Sequence, residues 1–346
     1  MSDPAGRGAG TVVVGTGGLG TGVIFALARN ETLGREESRA ARLLPAEDFC
    51  KLHIVFHYLR RLLPRDVLVV PVGCIGADAS GSHVLELMAD VGLDTSRLEA
   101  LPDRPTLFSA SFVYPDGDGG NISDSESASS AVTPDQVVRA VREEHARNPD
   151  AQGFALALPE VPVATRVALL RAAREVGWGT VASFVAGEAE AVVAHGLLPE
   201  SDLVVVNREE AAAVTGLPPW HDPASARATV EGLRTLAGTA TLAVTGGSDG
   251  AWTWDGEALL HNPSMPAHVV STAGAGDAFA AGLLVGTVAG ASLADATALA
   301  SLVASLAVES AGTINFGVGP EQVLSAATRS GTRLQPAIAD LLRAAQ

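Results

Sequence analysis

The chain has 346 residues, 47% of them hydrophobic, which suffices for a sizeable core and excludes wholesale disorder; the length fits two domains or one large α/β domain with an insertion. A formal net charge of −16 argues against nucleic acid or an anionic membrane as the main partner, although local backbone amides can hold a small anion against that field. The two cysteines, Cys50 and Cys74, make neither a disulfide framework nor metal-ligand spacing, so free thiols in a reducing, cytoplasmic setting are expected.

Residues 1–10 are polar and Gly-rich and do not read as a signal peptide. The β-branched run 11–14 predicts a buried strand ending at Gly15. From Gly15 to Gly20 the chain reads G-T-G-G-L-G, a G-x-G-x-x-G after a strand, with Glu36 and Glu37 near the distance of a ribose-binding acid. An NAD(P)-dependent oxidoreductase is therefore one reading, although no clean helical pattern follows the glycines. Residues 21–43 are ambiguous, with strand character at 23–25 and a turn at 30–34. Arg35, Glu36, Glu37, Arg39 and Arg42 form a dense charged patch, either a solvated, self-paired face or, with Lys51, a site for an anionic substrate. Lys51 is the only lysine in the chain, so no Walker A loop exists.

Apolar residues at helical spacing predict a helix over 48–63, then a strand over 66–72 that enters a glycine-rich turn at 73–81, and a helix over 80–91. Residues 106–114 alternate and meet P-D-G-D-G-G, a hairpin signal, and the acidic, serine-rich 123–130 predicts a solvated loop. From residue 134 helices at 134–147, 163–176, 208–214 and 224–236 alternate with strands at 153–158, 179–184, 202–206 and 239–245. That alternation implies an α/β fold, a parallel sheet covered by helices on both faces, with ligands beyond the carboxyl ends of the strands.

Three segments at such ends carry chemistry. Asn207 to Glu210, N-R-E-E, reads as a helix capping box, and equally as an amide and a carboxylate able to hold hydrated Mg²⁺. Thr245 to Gly250, T-G-G-S-D-G, is a hairpin turn or a nucleotide-phosphate loop with Thr245 and Gly247 as donors. Ser271 to Phe279, S-T-A-G-A-G-D-A-F, leads from a glycine turn into a helix expected from Ala278. Unpaired amides at such a start make an anion site, and Asp277 beside it could take a proton from a hydroxyl as a phosphoryl group arrives. The apolar region 278–308 is broken at Ser292 and Asp295 and predicts two buried helices rather than a membrane span.

In this order the motifs resemble the ribokinase-like (PfkB-type) carbohydrate kinase family. T-A-G-A-G-D-A-F matches the family signature at Thr272, Gly274, Ala275, Gly276, Asp277 and Phe279. The N-x-x-E motif falls on Asn207 and Glu210, V-T-x-G-x-x-G on Val244, Thr245, Gly247 and Gly250, and G-x-D-x-x-G on Gly76, Asp78 and Gly81. The resemblance implies a single three-layer α/β/α domain over 1–346, with a mostly parallel sheet and a small β lid within 21–43 and 104–122. It implies transfer of the ATP γ-phosphate to a hydroxyl of a sugar or nucleoside, with Asp277 as general base and the amides of Gly274 to Asp277 on the migrating phosphoryl. Asn207 and Glu210 would organise Mg²⁺, and Thr245, Gly247, Gly250, Thr272 and Asn207 the nucleotide. Glu160 falls where the family has a substrate-binding acid, with Gly17 on the same side.

The chain departs from the family at Ser271, where Asp is usual, which leaves a monovalent cation open. It also lacks the sugar-binding Asp after the first strand, and residues 47–51 replace the G-G-x-x-x-N substrate loop. An unusual or anionic polyol contacted by Arg35, Arg39 or Lys51 is the resulting expectation, in a protein without nucleic-acid or membrane partners and open to homodimerisation. A non-catalytic sugar- or nucleotide-binding regulator on the same scaffold is the other alternative.

Overall fold

The computed structural model describes residues 10–117, 119–238 and 240–346. The chain runs β1 (Thr11–Thr16), β2 (Gly20–Ala26), β3 (Arg42–Leu43), β4 (Asp48–Phe49), α1 (Lys51–Leu62), β5 (Leu68–Gly76), α2 (Ala79–Asp90), β6 (Leu98–Leu101), β7 (Leu107–Val113) and β8 (Gly119–Ser123). The regular half follows as α3 (Pro134–Arg147), β9 (Gln152–Ala157), α4 (Val163–Glu175), β10 (Gly179–Ala182), α5 (Ala189–His195), β11 (Leu203–Asn207), α6 (Arg208–Thr215), α7 (Pro223–Ala237) and β12 (Thr241–Thr245). β13 (Ala251–Trp254), β14 (Leu259–Asn262), α8 (Ala275–Val288), α9 (Leu293–Ala307), α10 (Pro320–Ser330) and α11 (Pro336–Ala344) complete it.

Among the described residues the strands form a nine-stranded sheet in the order β14-β13-β12-β11-β10-β9-β1-β5-β6. It is parallel from β12 to β6, and β13 and β14 extend it as antiparallel hairpin strands. Because strand side chains alternate, each central strand feeds two cores. Val13, Val69 and Leu156 belong to the core under α1, α8 and α9, whereas Val12, Val14, Val70 and Ala155 belong to the core under α3, α4 and α7. Both faces are covered, the three-layer arrangement that strand–helix alternation demands.

A second sheet of five strands, β3-β2-β7-β8 with β4 also on β2, stands apart from the large one. β2 and β7 pair in parallel, and β7 and β8 form the antiparallel hairpin expected at P-D-G-D-G-G. The glycine-rich start therefore leads from β1 into β2 of this small sheet. A dinucleotide site needs a helix there to offer its N-terminus to the pyrophosphate, and no helix follows, so the NAD(P) reading is withdrawn. Glu36 is exposed, and Glu37 pairs with Arg39 and accepts from the Gly34 N–H.

Local expectations differ in four places. The helix expected from Asp48 starts at Lys51, because Asp48 and Phe49 pair with Gly22 and Thr21 as β4. β5 continues to Gly76 through part of the expected turn, paired to β6. The serine-rich loop is not simply solvated: Ser127, Ala128 and Ser129 are buried, and the Ser129 hydroxyl accepts the Leu19 N–H at 3.1 Å. Helix α8 begins at Ala275, three residues early, which puts Asp277 inside its first turn.

α8 is almost wholly apolar and packs closely against α9, because glycine at 282 and 286 removes the side chain at the crossing. A Cβ at Gly286 would lie 2.6 Å from the Ala296 backbone and one at Gly282 2.8 Å from that of Ala300. Gly286→Val is expected to push the helices apart and cost roughly 1–3 kcal/mol, the usual range for overpacking. Urea unfolding reads this directly, and an unchanged midpoint would show that the crossing adapts.

Candidate active site

α8 owes its start to Gly274, which takes φ 79° as the N-cap. A side chain there would meet the Thr313 carbonyl. The Ala275 N–H bonds back to the Thr272 carbonyl at 3.2 Å and that of Ala278 to the Gly274 carbonyl at 2.9 Å. Among the described residues the N–H groups of Gly276 and Asp277 have no backbone acceptor, and open space faces Gly276 where a Cβ would stand. Two unpaired amides at the positive end of a helix over open space are a place for an anion.

Asp277 is buried and its carboxylate Oδ2 lies 3.2 Å from the Lys51 ammonium. Burial raises the Asp277 pKa while Lys51 opposes the rise. Lys51 is the first residue of α1, and its own N–H donates to Oε2 of Glu160 at 3.1 Å. Glu160 follows β9 in the left-handed region, φ 73°, a conformation that costs a non-glycine residue energy. A side chain on Gly18 would fall on this carboxylate, while one on Gly17 would come within 2.8 Å of Leu158. The glycines of the first turn thus make room for a strained, half-buried acid at the head of α1. Burial pushes the Glu160 pKa up against the pull of Lys51.

At the ends of β11 and β12, Asn207 and Thr245 are register partners. The Asn207 side-chain oxygen accepts from the Glu210 N–H at 2.8 Å, and Glu210 Oε2 accepts from the Asn207 N–H at 2.7 Å, so the capping box is real. Its carboxylate is nevertheless buried enough that desolvation pushes its pKa up to about 7. Gly247, φ 61°, opens a short 3-10 turn, and Gly250, φ 86°, turns the chain into β13, so the T-G-G segment is also the β12–β13 hairpin turn. Ser271 is buried and its hydroxyl accepts from the Ala273 N–H at 3.3 Å. The Thr272 hydroxyl donates to the Gly117 carbonyl at 2.7 Å, joining the catalytic-looking turn to the β7–β8 hairpin of the small sheet.

Sequence reasoning did not single out Asp48. It is buried on β4, its Oδ2 receives the Ser109 and Ser111 hydroxyls at 2.8 Å each, and desolvation raises its pKa. It lines a cavity of about 340 Å³ together with Thr21, Glu47, Phe49, Ser80 and His83. His83 reaches Glu47 at 2.9 Å. The only sequence signal was an acidic pair just ahead of a helix, and its serine partners lie 61 and 63 residues away.

The structure thus gathers Asp48, Lys51, Glu160, Glu210 and Asp277 into one electrostatic group, in which Lys51 opposes the raised pKa of each acid. Arg35 and Arg39 are not part of it. Arg35 is exposed, and Arg39 is held at 2.6 Å by Glu37 within its own loop. Lys51 is engaged by Asp277, and among the described residues no arginine or lysine lines the cavity. Among the described residues no group of three or more His, Cys, Asp or Glu is arranged to hold a metal directly.

The sequence profile of the pfkB family carbohydrate kinase matches residues 55–318. The bifunctional protein HldE of Methylobacillus flagellatus is 27% identical over 263 residues, 70% of this chain and 49% of that protein. The ribokinase of Arabidopsis thaliana is 25% identical over 249 residues, 70% of this chain and 63% of its own. The HldE protein of Caulobacter sp. is 38% identical over 112 residues, 32% of this chain and 23% of that protein. This chain therefore spans under two thirds of these relatives' lengths. Among solved structures, Giardia lamblia ribokinase superposes with TM-score 0.77 at 17% identity, covering 93% of this chain and 99% of that one. Arabidopsis thaliana ribokinase complexed with ribose and ATP gives 0.71 at 22%, over 92% and 98%. Burkholderia thailandensis nucleoside kinase in complex with inosine gives 0.71 at 18%, over 93% and 99%.

Proposed function

From the premise that this chain belongs to the pfkB family of carbohydrate kinases, we propose that it moves the γ-phosphoryl group of ATP to a hydroxyl of a neutral sugar or nucleoside, with Asp277 as general base. The observation that carries this reading is the first turn of α8. A buried carboxylate there stands beside two unpaired amides over open space, in one electrostatic group with the acid that lines the cavity. The amides of Gly276 and Asp277 receive the equatorial oxygens of the migrating group, where charge accumulates, and Asp277 takes the acceptor proton as the new O–P bond forms. Thr245 and Gly247, at the end of β12, face the nucleotide, and the small sheet serves as a lid that excludes water.

Glu210 suits a magnesium site that is filled mostly by water and phosphate oxygens. It is a desolvated carboxylate that makes no salt bridge among the described residues, at the edge where the nucleotide is placed, and its raised pKa marks a charge that a cation would stabilise. Asn207 already uses its side-chain oxygen as a cap, so its share is to orient Glu210. Magnesium, when bound, neutralises charge on the polyphosphate.

The cavity favours a neutral acceptor. Its charged lining is Glu47 and Asp48, with His83 paired to Glu47, and carboxylates there bind hydroxyls and repel acids. ADP release from Mg-ATP is expected with at least one of D-ribose, D-fructose, D-glucosamine or inosine, and at a lower kcat/KM with D-gluconate or ribose 5-phosphate. ADP release no faster than without acceptor across all six would overturn the kinase reading. A preference for the two anionic compounds would overturn the neutral-acceptor reading alone.

A further inference from the structure

Lys51 breaks a local rule. A cation in the first turn of a helix opposes the helix dipole, and the first turn of α1 has no acidic residue of its own to offset it. What offsets it comes from elsewhere in the chain. Asp277 on α8 accepts from the ammonium at 3.2 Å, Glu160 after β9 binds the Lys51 N–H, and Glu210 on α6 adds a longer-range attraction. The chain carries 23 lysines and arginines, and this is the only lysine. A guanidinium is planar and forked where an ammonium is compact, so the two are not interchangeable in a site this enclosed.

We propose that Lys51 is a positioning residue of the transfer step: its ammonium, fixed at the head of α1, keeps the Asp277 carboxylate ionised and oriented for the acceptor hydroxyl. This rests on the reading of Asp277 as the base. During transfer the acceptor O–H proton passes to Asp277, the acceptor O–P bond forms, the bond from the γ-phosphorus to the bridging oxygen breaks, and ADP leaves. Lys51 exchanges no proton.

The need for such a residue follows from the surroundings of Asp277. Desolvation works against its charge, and, added to burial, its own charge in turn raises the pKa of Asp48 on β4, Glu160 after β9 and Glu210 on α6. Burial keeps Tyr58 on α1 neutral, its pKa pushed up to about 12, and the charge of Asp277 adds to the rise. Lys51 is the cation that opposes them, and its own pKa is raised, first by Asp277. Without it the carboxyl would hold its proton to higher pH, and the base would be absent where the rate is measured.

The test is the pH dependence of kcat/KM for Lys51→Met, which keeps the unbranched stem, and for Lys51→Arg. The acceptor is whichever of D-ribose, D-fructose, D-glucosamine and inosine releases ADP fastest. Lys51→Met is expected to lose roughly 10–100-fold at pH 7 and to recover toward the native value by pH 9, because one unit of pKa shift is tenfold in the ionised fraction on the acid limb. Lys51→Arg is expected to keep the native acid limb with a smaller loss. A uniform loss at every pH would assign Lys51 a structural or phosphate-binding role and overturn the proposal.

A second readout needs no acceptor. Protein labelled with lysine carrying ¹³C at Cε gives a single lysine side-chain resonance. Its deprotonation is expected at lower pH in Asp277→Asn than in the native chain, and equal titration would overturn the coupling. Native turnover by Asp277→Asn would instead overturn the base assignment, whatever the lysine resonance shows.

Discussion

Asp277→Asn is expected to lower kcat by about 10³–10⁴-fold while leaving the KM for ATP within a few-fold, because it removes the proton acceptor and nothing that binds nucleotide. The side chain stays nearly the same size in a buried place, and no helix hydrogen bond depends on it. The amides of the turn are left in position. The one structural debt is Lys51, which loses its nearest carboxylate but keeps Glu160 and Glu210 in its field. The fold should therefore persist, and a melting curve run beside ADP-release kinetics separates lost chemistry from lost structure. Turnover within tenfold of the native chain would remove Asp277 from the role of base.

Gly274→Ala is expected to act on both stability and rate. The residue sits at φ 79°, where an L side chain is disfavoured by about 1–2 kcal/mol. The added methyl would also meet the Thr313 carbonyl, which belongs to the chain after α9 and is itself tied down, Thr313 N–H to the Glu47 carbonyl at 3.3 Å and its hydroxyl to the Phe49 N–H at 2.8 Å. Neither side can yield without moving β4 and the cavity wall. A loss of roughly 2–5 kcal/mol by urea unfolding follows from the strain together with the overlap. The surviving folded fraction should turn over about 10²-fold more slowly, because a displacement near 1 Å misplaces the amides. A native unfolding midpoint would show that the turn does not need glycine.

The regular half of the fold was legible because its strands and helices announce themselves by period. α3 and α4 begin at the residues expected, and the buried strands β9 to β12 lie within about two residues of their runs. The first third was not, because it is built from short strands whose partners are distant. β4 is two residues long and exists through its pairing with β2, so its sequence reads as the start of α1. The early glycines looked like a phosphate loop, but they serve close approaches to Glu160 and Leu158. Asp277, Asn207 and Glu210 carried their signal in local order. The link between Lys51 and Asp277 spans 226 residues, and no local pattern contains it. The family profile begins at Val55, so Asp48 and Lys51 lie ahead of the matched region, on the side where the chain departs from the family's substrate loop.

The bond from Thr272 to Gly117 links the hairpin of the small sheet to the turn at the head of α8. The small sheet is continuous with the large one where β1 runs directly into β2, and its β7–β8 hairpin reaches the residue just ahead of the anion turn through the Thr272 hydroxyl and the Gly117 carbonyl at 2.7 Å. A neutral hydrogen bond is worth about 1 kcal/mol net, about fivefold in an equilibrium. On the proposed reading of the small sheet as a lid, whatever orders the hairpin tip also orders the turn that holds the migrating group.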